Sequence, residues 1–180
     1  PSQCGGARAH SHGPAPNSPG TVPVHVSIVL PTLNEQAWLR DCLDSLVAQD
    51  HPDIDEILVV DGGSHDRTRD IAASFGERVK VVENPGVTAA AAMNVGLATA
   101  RNDVVIRADA HTTYAPDYVR RSLDALASSG ADWVGGPMRP VGTTAFGRAV
   151  AAVTSSPLGV GPGRFHYATA PADVETVYLG

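Results

Sequence analysis

Apolar residues in this chain arrive in short β-branched runs, separated by stretches in which they recur at helical spacing. Val24 to Leu30 (VHVSIVL), closed by Pro31, predicts a buried strand. Trp38, Leu39, Cys42, Leu43, Leu46 and Val47 then line one helical face, with Arg40, Asp41 and Asp44 on the other. Ile54 to Val60 predicts a second strand, ending at Asp61-Gly62-Gly63. Asp66 or Ser64 is placed to cap a helix whose inner face is Ile71, Ala72 and Phe75. Val79 to Val82 predicts a third strand, and Thr88 caps an alanine-rich helix reaching Ala100. Val104 to Ile106 predicts a fourth strand that leads to Asp109. Pro116 opens a helix carrying Val119, Leu123 and Leu126, which Gly130 stops. Trp133-Val134 predicts a short fifth strand, and Phe146, Val150 and Val153 predict a further helix. Pro157 to Gly163 is a Gly/Pro-rich loop, and Val174 to Leu179 starts another strand. Trp38 and Trp133 are assigned to the core.

Strands alternating with helices of about 10–15 residues imply an α/β fold with a mostly parallel, doubly wound sheet. Ligands of such sheets bind outside the carboxyl ends of the strands, which makes the strand-end residues the candidate site. Residues 1–22 are set apart by four prolines, four glycines and almost no large apolar side chain, so they are expected to be a disordered tail. Residues 23–180 then form the folded domain. The chain starts at Pro1 and stops on an apolar run, and is therefore expected to be truncated at its C-terminus.

Composition narrows the class. The chain has 180 residues, 43% hydrophobic and 18% charged, as a soluble globular domain should. Its net charge of −6 argues against nucleic acid as the main partner, because that affinity comes from clustered Lys and Arg. Two cysteines are too few for a disulfide framework or a zinc cage, which favours a cytoplasmic address.

Three strand ends carry acids: Pro31-Thr32-Leu33-Asn34-Glu35, Asp61-Gly62-Gly63-Ser64 and Asp109-Ala110-His111. No GxGxxG follows a strand and no GxxxxGK[ST] is present, so neither a dinucleotide fingerprint nor a P-loop is available. Acids repel a polyphosphate unless a divalent cation lies between them. Asp109 with His111 is a short polar pair suited to hold one, leaving Glu35 and Asp61 to accept from ribose hydroxyls or a base N–H.

Residues 25–135 resemble the nucleotide-sugar-binding half of family-2 glycosyltransferases, which have a GT-A fold. The resemblance rests on VSIVLPTLNE (26–35), EILVVDGGSHDRT (56–68), the NPG…AAMNVG stretch (84–96) and VVIRADAH (104–111), in that order. The DGGS and DAH variants look most like the succinoglycan-biosynthesis type. The resemblance implies a nucleotide-diphospho-sugar transferase sheet, with a donor half over about 24–136 and the start of an acceptor half over about 137–180. It implies that Pro31, Thr32, Leu33 and Glu35 line the nucleoside pocket and that Asp61 addresses the base. Asp109 and His111 stand where the family has its Asp-x-Asp metal motif, so Mg²⁺ or Mn²⁺ is the implied cofactor and Asp109 the implied catalytic residue.

Three departures from the family pattern stand out. Gly62 replaces the second acid often found beside Asp61, and His111 replaces the last Asp of the metal motif, a change better suited to Mn²⁺ than to Mg²⁺. The family's general base lies in an acidic motif of the acceptor half, past the end of this chain; Asp173 and Glu175 are the nearest substitutes. Arg107 is assigned to pairing with an acid, and Arg164, His166 and Tyr167 are the polar residues after the Gly/Pro loop.

The implied activity is inverting transfer of a sugar from a nucleotide-diphosphate donor to an acceptor hydroxyl, in exopolysaccharide or cell-envelope glycan synthesis. The implied acceptor is a saccharide or lipid-linked saccharide, with peripheral association at the inner membrane face. A nucleotidyltransferase shares the sheet but needs a Gly-rich basic loop after the first strand, where this chain has acidic, Gly-free PTLNE. A nucleotide-sugar-binding module without turnover is the remaining alternative.

Overall fold

The computed structural model describes residues 24–156. Their elements follow in the order β1 (Val26–Thr32), α1 (Leu39–Val47), β2 (Ile54–Asp61), α2 (Thr68–Ala73), β3 (Val79–Glu83), α3 (Ala89–Thr99), β4 (Val104–Arg107), α4 (Tyr118–Ser129) and α5 (Ala145–Thr154). The four strands pair in parallel, in the order β3-β2-β1-β4. The predicted α/β class and parallel sheet are therefore those of the structure.

Alternation along the two central strands sends side chains to opposite faces. Ile28 and Leu30 of β1, with Ile57 and Val59 of β2, join a core that includes Leu39, Leu43 and Leu46 of α1, Ile71 of α2 and Val119 of α4. Val29, Leu58 and Val60 face the other way, onto Ala92 of α3. The close approach of α3 depends on Gly96, where a Cβ would lie 2.3 Å from Val29 Cγ1. Thr88 caps α3 as its sequence suggests, its side chain accepting the Ala91 N–H at 3.2 Å. Gly130 ends α4 in the left-handed conformation, φ 67°.

Four expectations are corrected. Pro31 does not close β1, which runs on to Thr32. The pairing with β4 stops at Val29, so beyond that residue β1 has a neighbour only on the β2 side and the missing N–H of proline is tolerated. Trp133-Val134 forms no strand; two apolar residues followed by Gly135-Gly136-Pro137 offer too little to pair. Neither tryptophan is core. Trp38 is 54% exposed at the N-cap of α1, where Leu39, Cys42, Leu43 and Leu46 already fill the inner face, and Trp133 is 66% exposed. The helix expected around Phe146 is present as α5, capped by Thr144, but none of its residues is buried among the described residues. The tail at 1–22, the loop at 157–163 and the strand at 174–179 lie outside the described residues, as do Arg164, His166, Tyr167, Asp173 and Glu175.

Candidate active site

Between β1 and β4 the order of the sheet reverses: the chain steps outward from β1 to β2 and β3, then returns to place β4 on the far side of β1. The two strand ends flanking that reversal carry Thr32-Leu33-Asn34-Glu35 and Asp109-Ala110-His111. Ligands of parallel sheets bind at the carboxyl edge beside such a reversal, where the flanking connections cross on opposite faces. A hollow of about 580 Å³ opens at the amino edge, lined by Asp55, Glu77, Arg78, Lys80 and Arg101. Lys80 and Arg101 there are bound to buried Glu56, so the cations of that hollow are engaged by the protein, and the carboxyl edge is the candidate site.

The loops after β1 and β2 are stapled together by main-chain-to-side-chain hydrogen bonds. The Asn34 N–H donates to Ser64 Oγ at 2.8 Å, and the His65 N–H to Asn34 Oδ1 at 2.9 Å. The Glu35 N–H donates to Thr68 Oγ1 at 2.8 Å and the Gln36 N–H to Asp66 Oδ2 at 3.1 Å. Asn34 adopts φ 57°, a left-handed turn that asparagine tolerates better than most residues. Asp66 is held below the usual carboxylate range, since hydrogen bonds from Thr68 and the Gln36 N–H outweigh the cost of its partial desolvation. At the end of β1, Thr32 is buried and its Oγ1 has no hydrogen-bond partner. An orphaned buried hydroxyl is costly unless a ligand or water satisfies it.

Asp61 is buried and builds its own turn. Its Oδ2 accepts the N–H groups of Gly63 (3.1 Å) and Ser64 (3.0 Å), and its Oδ1 accepts Ser64 Oγ. Arg69 Nε stands 3.5 Å from Oδ2, while its Nη2 reaches Glu83 Oε1 at 3.2 Å. Two glycines after the acid let the chain bend around the carboxylate, Gly63 with φ 90°.

At the end of β4 the Asp109 side chain is 13% exposed, and Arg107 Nη2 lies 3.1 Å from its Oδ1. His111 is exposed, with Nδ1 3.8 Å from Glu35 Oε1, a contact that links the β1 and β4 ends. Beneath them sits the buried thiol of Cys42, pushed up to about 12 by burial first, and then by the charges of Asp109 and Glu35. A thiol that feels both carboxylates reports their common neighbourhood. The structure thus brings Pro31, Thr32, Leu33, Glu35, Asp109 and His111 to the reversal, with Asp61 one strand away on β2.

No group of three His, Cys, Asp or Glu side chains among the described residues could enclose a metal. Among the described residues nothing but Arg107 pairs with the Asp109 carboxylate, at Oδ1, which leaves Oδ2, and His111 has an exposed ring. One or two side chains, with substrate phosphates and water completing the shell, is the usual way a protein holds Mg²⁺ or Mn²⁺ on a nucleotide. The donor set fits that arrangement.

The sequence pattern offers Ser64 and Asp66 only as helix caps, and passes over the other residues that hold these groups in place. Thr68, Asp66 and Ser64 fasten the loop, Arg69 attends Asp61, and Tyr114 contacts the Asp109 main chain at 2.8 Å. The density of Asp, Ser and Thr over 61–68 was the available signal for the loop. Among the described residues, no helix is long and apolar enough to cross a membrane.

Comparison with known proteins bears on the family and the fold. Residues 27–153 match the family model "Glycosyl transferase family 2". The succinoglycan biosynthesis protein ExoA of Rhizobium meliloti is 37% identical over 139 residues, which cover 74% of this chain and 42% of that protein. Validoxylamine A glucosyltransferase of Streptomyces hygroscopicus subsp. limoneus is 34% identical over 119 residues, 63% of this chain and 26% of that one. The chain therefore spans less than half the length of either relative. Among solved structures, S. aureus TarS 1-349 in complex with UDP-GlcNAc superposes with a TM-score of 0.59 at 24% identity, over 67% of this chain and 36% of that one. That likeness concerns the fold.

Proposed function

The chain belongs to glycosyl transferase family 2, and on that premise we propose that the carboxyl edge of its sheet binds a nucleotide-diphosphate sugar for inverting transfer to an acceptor hydroxyl. The observation that carries this reading is the convergence at the reversal, where His111 of the β4 end meets Glu35 of the β1 end at 3.8 Å. Residues up to about 136 act as the donor half. Thr32, with its unpartnered hydroxyl, and Pro31, Leu33 and Glu35 line the nucleoside, while Asp61 braces the turn beside the base. Asp109 and His111 would hold Mg²⁺ or Mn²⁺, which supplies Lewis-acid stabilisation of the departing diphosphate. Arg107 orients Asp109, and adds positive charge where the leaving group gains negative charge. The acceptor is a saccharide, lipid-linked or free, in exopolysaccharide or envelope glycan synthesis; the similarity to the succinoglycan biosynthesis protein ExoA supports that class.

A thermal-shift screen of UDP-, GDP- and dTDP-sugars, each with and without Mn²⁺, tests the proposal. Binding stabilises the folded state by mass action, by about 2.7 kcal/mol at 100 times the dissociation constant, and so raises the midpoint. One nucleotide series should stabilise the chain, and more so with Mn²⁺. A flat response across the panel contradicts the proposal.

A further inference from the structure

Asp109 has its main chain held from both sides by groups that the donor chemistry does not use. Tyr114 Oη accepts the Asp109 N–H at 2.8 Å, and Cys42 Sγ donates to the Asp109 carbonyl at 3.5 Å. Cys42 lies on α1 and Ser45 follows at i+3 on the same side of the helix, while Gln49 stands just past its C-cap, Ala48. Ser45 Oγ accepts the Tyr114 N–H at 3.0 Å. Gln49 Nε2 donates to the Ala115 carbonyl at 2.8 Å, and its Oε1 accepts the Val119 N–H at 2.9 Å. The Asp50 N–H, one residue on, donates to the Pro116 carbonyl at 2.8 Å. A row of polar groups on α1 and just past its C-terminus thus fastens the connection from β4 to α4 at successive points.

We infer that Tyr114, seated on α1 through Ser45, is a positioning residue for Asp109: its hydroxyl fixes the main chain from which the carboxylate projects. The clamp itself stands on the geometry, and its consequence for ligand rests on the donor-site proposal. Tyr114 is buried, and its ring packs against Tyr118 with centroids 5.1 Å apart, so the hydroxyl has little freedom to leave. Burial pushes that hydroxyl well above the usual tyrosine range, and it stays neutral at any working pH. A carboxylate on a free loop loses conformational entropy each time it engages a ligand, whereas one on a fixed backbone has lost most of it on folding. Partners behind a metal ligand characteristically change metal affinity by 10–100-fold when removed.

Tyr114→Phe keeps the ring and deletes the hydroxyl. Two readouts on the 180-residue chain test it: amide exchange at Asp109 by NMR, and UDP affinity with and without Mn²⁺ by calorimetry. The variant should speed Asp109 exchange about tenfold or more and cut the Mn²⁺-dependent gain in UDP affinity about tenfold, with metal-free affinity unchanged. Gly96→Ala, which crowds α3 against β1 away from the clamp, serves as the stability control; it should lower the Tm and keep the Mn²⁺ gain. Unchanged Asp109 exchange in Tyr114→Phe overturns the clamp. Faster exchange with an unchanged Mn²⁺ gain overturns the positioning role, as does a loss that follows Tm equally in both variants. A wild-type chain that gains nothing from Mn²⁺ contradicts the donor-site proposal and the positioning role with it, and the exchange rate then decides the clamp alone.

Discussion

Glu56 and Asp109 stand at opposite edges of one parallel sheet and live under opposite rules. Glu56, near the start of β2, is 1% exposed, and the chain satisfies both of its oxygens. Oε1 accepts from Ser27 Oγ at 3.0 Å and from the Arg101 N–H at 2.9 Å, while Oε2 accepts from Lys80 Nζ and Arg101 Nε, each at 3.0 Å. A register shift between Val26 and Ser27 is what sets Ser27 opposite Glu56. Burial pushes the Glu56 carboxyl up, but the Arg101 N–H, Lys80, Ser27 and the Arg101 side chain together outweigh it and bring it to about 2. Among the described residues Asp109 has one ionic partner, Arg107, which meets Oδ1 and leaves Oδ2 for something else. An acid whose lone pairs are all engaged by the protein is structural; an acid at a strand end with capacity to spare is available to a ligand.

That contrast is open to disruption at each end, starting where the effect is largest. Glu56→Ala should cost about 3 kcal/mol in urea unfolding, since it strands buried donors and two cations that converge on one point. UDP binding should be unaffected. The same group gives the amino edge an acid sensitivity. Its folded value of about 2 lies below the ordinary 4.5, so its contribution is complete above the ordinary value and disappears as pH falls from there towards 2. Unfolding midpoints measured across that window should fall more steeply for the wild type than for Glu56→Gln.

Asp61→Ala sits between the extremes, because this acid is at the carboxyl edge yet holds its own turn. A loss of about 2 kcal/mol is expected from the unpaired Gly63 and Ser64 N–H groups. A cost as large as that of Glu56→Ala would blur the distinction between the edges. Asp109→Ala should be the mildest, below about 1 kcal/mol, since it removes a single partly exposed ion pair.

The strands and most helices were legible because burial on one or both faces writes itself into the spacing of apolar residues. Val104 to Arg107 and the alanine-rich α3 are visible this way, and so were the acids that end the strands. What the pattern hid depends on partners distant in sequence. Pro31 reads as a stop until the early end of β4 is known. Trp133 reads as core by its size, although no strand forms to bury it. Ser45 and Gln49 look like ordinary polar positions on an amphipathic helix, and only the fold reveals that they face the connection after β4. Asn34 and Ser64 carry turn chemistry in their identities, but their pairing across 30 residues belongs to the assembled sheet.

The most direct test is a calorimetric titration of UDP in Mn²⁺ against the wild type, Asp109→Ala and Glu56→Gln. Asp109→Ala should lose the Mn²⁺-dependent binding while unfolding near the wild-type midpoint, and Glu56→Gln should bind as the wild type does despite a lower midpoint. Equal affinity in Asp109→Ala and the wild type would contradict the assignment of the carboxyl edge as the donor site.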